Sequence, residues 1–66
     1  FDLNMQTMKL FDLISEYKME KFIENIHSNT NSDGTKRFSI SLDKNMSEFY
    51  YTFLRKILEN AGAKFF

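Results

Sequence analysis

The seven residues Lys36-Arg37-Phe38-Ser39-Ile40-Ser41-Leu42 alternate polar and apolar side chains without a break, setting Phe38, Ile40 and Leu42 on one face of a strand and Arg37, Ser39 and Ser41 on the other. A half-buried strand needs a neighbouring strand for its backbone and a covering layer for its apolar face. Within 66 residues that contain no cysteine, neither a disulfide nor a thiolate metal site can replace that covering layer. A domain of this length buries only about 60% of its unfolded surface, so its core is small. The chain is expected to be one small domain over residues 1–66, which could itself belong to a longer polypeptide, since Phe1 is not a methionine.

On either side of that strand the periodicity is helical. From Met5 to His27, Leu3, Leu10, Phe11, Ile14 and Tyr17 share one stripe, and Met19, Phe22, Ile23 and Ile26 form a second, rotated by about a third of a turn. The second stripe matches i, i+3, i+4, i+7 at all four positions. With no proline or glycine near Lys18, where the stripe changes side, the spacing predicts one continuous or gently kinked helix. The polar run from Ser28 to Thr35 predicts a loop, with Asp33-Gly34 supplying the positive φ of a tight turn.

After the strand, Asp43, Asn45 and Ser47 compete as helix cap, and Asn45 with Glu48 has capping-box spacing. Met46, Tyr50, Phe53, Ile57 and Ala61 then mark the centre of an apolar helix face flanked by Phe49, Leu54 and Leu58. Gly62 stops that helix, and Ala63-Lys64-Phe65-Phe66 reads as the opening of another strand. The expected fold class is therefore α+β in the order helix, loop, strand, helix, strand. Phe38, Ile40, Leu42, Phe53, Ile57 and Phe65 are expected in the core. Two strands joined by a helix crossover pair in parallel, and such a pair is no stable sheet by itself, so a partner chain is expected to complete it.

Several chemistries are excluded or disfavoured. Uninterrupted apolar runs reach only two or three residues, as in Phe49-Tyr50-Tyr51, far short of the roughly 20 that span a bilayer. No membrane association and no secretory leader are expected, which suggests a cytoplasmic, intracellular setting. Heavy use of Phe, Ile, Asn, Lys and Tyr beside scarce Gly, Ala, Pro and Arg suggests an A/T-rich genome, so the asparagine and lysine excess is not a binding signature. His27 reads as a cap on the first helix, and Asp12, Glu16, Glu20 and Glu24 as a solvated i+4 face. No enzyme activity and no cofactor are expected.

Asn29-x-Asn31-x-Asp33-Gly34 resembles the opening half of an EF-hand calcium loop, but Lys36 and Ile40 stand where an aliphatic residue and the closing glutamate belong, so no metal is expected. Net charge is zero overall, yet residues 1–33 carry three lysines against six acids and residues 34–66 six basic residues against three acids. That polarity favours reciprocal association, or offers the basic half to an anion. Thr35 to Gly62 also resembles the first two elements of a ribbon–helix–helix repressor, a generic likeness over under half of the chain. It implies that Lys36, Arg37, Ser39 and Ser41 contact nucleic acid.

The leading expectation is a non-catalytic interaction module that associates with a protein partner or a second copy of itself, using Phe49, Tyr51, Phe65 and Phe66 as contact residues. The alternative is a nucleic-acid-binding regulator using strand 36–42 and the helix after it. A regulatory fragment of a larger enzyme ranks third.

Overall fold

A computed structural model describes all residues from Phe1 to Phe66. It contains strand β1 (Asp2–Met5), helix α1 (Thr7–Glu16), a 3-10 turn at Glu20–Phe22, strands β2 (Ile23–Thr30) and β3 (Lys36–Leu42), and helix α2 (Glu48–Asn60). The strands form one antiparallel sheet in the order β1-β3-β2. Leu10 and Ile14 of α1 and Leu54 and Leu58 of α2 share one buried cluster with Leu3, Met19, Phe38, Ile40 and Ala63. Both helices thus lie on the face that Phe38 and Ile40 present, and the opposite face is uncovered.

The chain is α+β, and Lys36–Leu42 is a strand with Phe38 and Ile40 buried, but the order of elements differs from the pattern-based expectation. Of the stretch from Met5 to His27 expected as one helix, Thr7–Glu16 alone is α-helix; a 3-10 turn and β2 follow, β2 running on through Ser28–Thr30 of the expected loop, and an unexpected strand, β1, precedes the helix. Three local devices counterfeit the helical spacing. Helix α1 ends in a Schellman closure: Lys18 takes φ 52°, its N–H bonds the Ser15 carbonyl at 3.2 Å, and the Met19 N–H bonds the Ile14 carbonyl at 2.9 Å. Gly62 does the same for α2 at φ 103°, with the Ala63 N–H on the Leu58 carbonyl at 2.9 Å. A lysine in the glycine position hides the first stop.

The 3-10 turn then places Phe22 three residues after Met19. A bulge between Ile23 and Asn25 inserts one residue into β2, so Ile23 and Ile26 both reach the helix-covered face despite being three apart. Spacing of three and four therefore arises here without a helix.

Ser47 caps α2, its hydroxyl accepting from the Tyr50 N–H at 3.2 Å, while Asp43 accepts from the Asn45 N–H at 2.9 Å in a tight turn before it. The buried face of α2 centres on Leu54 and Leu58, one residue further along than expected. Phe53, expected in the core, is 47% exposed and meets Tyr17 edge-on at 6.3 Å and Tyr50 at 6.0 Å. Leu54 and Leu58 are fully buried in the shared core, while the α2 rings of Phe49, Tyr50, Tyr51 and Phe53 keep contact with solvent. Leu42, Ile57 and Phe65 are half-buried. Residues 63–66 form no strand parallel to β3; Lys64 makes an isolated antiparallel bridge to Asp2.

Candidate interaction surface

Asparagine 31 and Asp33 build the β2–β3 turn. The Asn31 N–H bonds the Thr35 carbonyl at 2.7 Å, the Gly34 N–H bonds the Asn31 carbonyl at 3.1 Å, and Gly34 takes φ 89°. The Asp33 carboxylate accepts from the Thr35 hydroxyl and backbone N–H, which hold its pKa below the usual carboxylate range. Asn31 donates its amide to Asn4 at 3.1 Å and Thr35 at 3.0 Å, while Asn29 lies within β2 opposite Arg37. The three residues of the calcium-loop likeness do not converge, and nowhere do three His, Cys, Asp or Glu side chains gather around one point.

The uncovered sheet face carries Asp2 and Asn4 from β1, Arg37, Ser39 and Ser41 from β3, and Asn25, His27 and Asn29 from β2. His27, expected at a helix end, stands in this strand opposite Ser39, exposed to solvent. Arg37 is paired with Asp2, which also accepts from Ser39 at 3.2 Å; the Arg37 hydrogen bond first, and the guanidinium charge with it, lowers the Asp2 pKa. Lys36 stands across from Met5 and Thr30, on the other face from Arg37. The four residues expected to touch nucleic acid are therefore split between two faces, and the Arg37 guanidinium on the open face is already engaged by Asp2.

The four expected contact residues are likewise divided. Phe65 stacks on Phe1 at 4.6 Å, meets Tyr51 edge-on at 6.3 Å and takes the Arg55 guanidinium over its ring at 5.0 Å. Phe66 follows it, 96% exposed. Phe49 is 85% exposed on a different side of α2, beside Phe53, Thr52 and Lys56. No single patch holds all four.

Pattern reading missed two strands, β1 and, at the other margin of the sheet, β2. Its residues after Ile23 are all exposed, because the strand has a neighbour on one side only. The direction of its backbone follows from β3. Phe1 and Ile40 exchange two backbone hydrogen bonds, at 2.6 and 2.8 Å, so the Ile40 N–H and C=O point toward β1. In an antiparallel ladder the direction alternates, which turns Arg37, Ser39 and Ser41 toward β2 and pairs them with Asn29, His27 and Asn25. The backbones of Ile26, Ser28 and Thr30 consequently point away from the sheet, into the open margin. On the helix side of that margin Phe11, 55% exposed, and Ile26, 41% exposed, line a shallow groove with Phe38 and Lys36. Met8 stands exposed one turn before Phe11.

A legible signal did exist. Asp33-Gly34 ahead of a clear strand is a hairpin turn, which demands a strand before it, and Ile26-His27-Ser28-Asn29-Thr30 contains no strong helix former. Comparison with protein-family models, curated protein sequences and solved structures finds no match. No helix is long and apolar enough to cross a membrane.

Proposed function

We propose that this chain is a non-catalytic protein-interaction module that accepts an additional β-strand along β2. The open β2 margin carries this reading: three consecutive outward-facing residues, Ile26, Ser28 and Thr30, leave six backbone groups without a strand partner. Exposed edge strands in monomeric domains are commonly blunted by lysine, proline or extreme shortness. β2 spans eight residues, has neither lysine nor proline, and is bulged only at its beginning. Strand addition satisfies main-chain groups regardless of sequence, and side-chain pockets beside the strand then select the partner. The groove at Phe11 and Ile26 supplies such a pocket.

The test is an NMR titration with a displayed-and-selected set of extended peptides. Amide signals of Ile26, Ser28 and Thr30 are expected to move on binding, and those of Asn25, His27 and Asn29, already bonded to β3, to stay nearly fixed. Failure of any peptide to perturb the outward amides, with no change on self-association either, would overturn the reading. Salt-sensitive binding of a labelled duplex that perturbs Arg37, Ser39 and Ser41 instead would assign the chain to nucleic acid.

A further inference from the structure

We propose that the added strand is β2 of a second copy, paired antiparallel about a two-fold axis through Ile26, so that two three-stranded sheets become one of six strands. This rests on the strand-addition reading and narrows it to a partner and a register. A two-fold axis perpendicular to a sheet brings together only residues on the same face, so each possible register centres on one residue.

The registers are not equivalent. Centring on Asn25 sets Ile26 against the charged Glu24 of the second copy. Centring on His27 opposes two imidazoles and leaves Ile26 beside a serine; centring on Ser28 leaves it beside Thr30. Only the Ile26 register covers the 41% exposed Ile26 with its own symmetry mate and sets Glu24 opposite Ser28. There the two Ile26 backbones, both facing outward, exchange N–H···O bonds as an ordinary antiparallel pair.

Charge argues for a copy rather than a foreign charged strand. β2 carries one acid, Glu24, and no cation, and Lys36 is the one charged side chain lining the groove beside it, so the margin suits a strand with little charge of its own. β2 itself is a nearly uncharged strand of matching length, and the whole chain has zero net charge, so copies do not repel. The same rotation brings the exposed Phe11 of each copy to the seam, beside the paired isoleucines.

Sedimentation equilibrium from micromolar to millimolar concentration tests this. The wild-type chain is expected to form dimers. Ser28→Pro removes an N–H that points only into the seam and leaves the β3 ladder intact; it is expected to weaken the dimer roughly 30-fold, as two lost hydrogen bonds of ordinary strength imply. Ile26→Lys, at an exposed site, is expected to give monomers with an unchanged far-UV spectrum even if Ser28→Pro fails to fold. Phe49→Asp on α2 is expected to leave the dimer intact. Isotope-filtered contacts in a mixed-label dimer should join Ile26 to Ile26. A wild-type monomer at millimolar concentration whose outward amides still respond to peptides would overturn self-pairing and keep strand addition. A dimer that resists Ile26→Lys and is lost in Phe49→Asp, or that joins Ile26 to Thr30, would overturn the proposal.

Discussion

On the β1 side of the sheet the chain closes its own margin. Asp2 and Lys64 exchange two backbone hydrogen bonds at 3.0 and 2.8 Å, Phe65 stacks on Phe1, and Arg37 holds the Asp2 side chain. On the β2 side nothing comparable happens. The difference lies in what each outer strand meets: the residues after Gly62 reach back to β1, whereas β2 has β3 as its one hydrogen-bonded neighbour. A three-stranded sheet under two helices has two margins, and this chain shields one.

The same truncation at the two margins gives the largest expected contrast. Leu3, 1% exposed on β1, lies in the core, so Leu3→Ala should lower unfolding free energy by about 2–5 kcal/mol in chemical denaturation. Ile26→Ala, made in dilute monomer, should cost under about 1 kcal/mol, because much of that side chain is already in water. Equal losses would mean that β2 is covered after all.

Next in size is the shield. Phe65→Ala removes the stack on Phe1, the edge contact with Tyr51 and the seat of Arg55, and should destabilise by about 1–2 kcal/mol. It should also speed amide exchange at Lys64 and Asp2, making the β1 margin resemble β2.

The closures behind the two helices sharpen the comparison further. Gly62→Ala meets no steric obstacle but keeps φ at 103°, so it should cost about 1 kcal/mol and loosen the segment that shields β1. Lys18→Gly relieves a side chain held at φ 52° and should raise the thermal midpoint slightly, by up to about 1 kcal/mol of stability.

Smallest is the acid response. Arg37 lowers the folded-state pKa of Asp2 below its unfolded value, so the pair's stabilisation is present above the unfolded pKa and is lost as pH falls through the folded one. Urea midpoints should therefore decline on the acid side of the ordinary carboxylate range, and the decline should be shallower in Asp2→Asn. Asp33, held by Thr35, adds to the same limb in both proteins.

The legible parts of the fold were those where side-chain period equals backbone period. Lys36–Leu42 and Glu48–Asn60 are regular and exposed on one side, so alternation and amphipathicity report them directly. Ser47 and Gly62 mark the limits of the second helix by ordinary capping chemistry. The stretch from Lys18 to Thr30 is opaque because an irregularity sits at each step. A non-glycine residue closes α1, a 3-10 turn follows, and a bulge shifts the alternation of β2 just where Ile23 and Ile26 would reveal it. Beyond the bulge the residues of β2 are exposed and polar except Ile26, so Ser28, Asn29 and Thr30 read as loop, while Asn25 and His27 read as the polar end of the expected helix. The expectation that the chain leaves strand backbone without a partner came from counting strands, whereas the margin concerned lies in a strand that pattern reading did not place.

Residue-resolved hydrogen exchange on the dilute chain tests the open margin most directly. Amides of Asn25, His27 and Asn29 should be slowed with those of β3, while Ile26, Ser28 and Thr30 should exchange at close to free-chain rates and slow only when a strand is added. Six amides of β2 protected alike in the isolated monomer would contradict it.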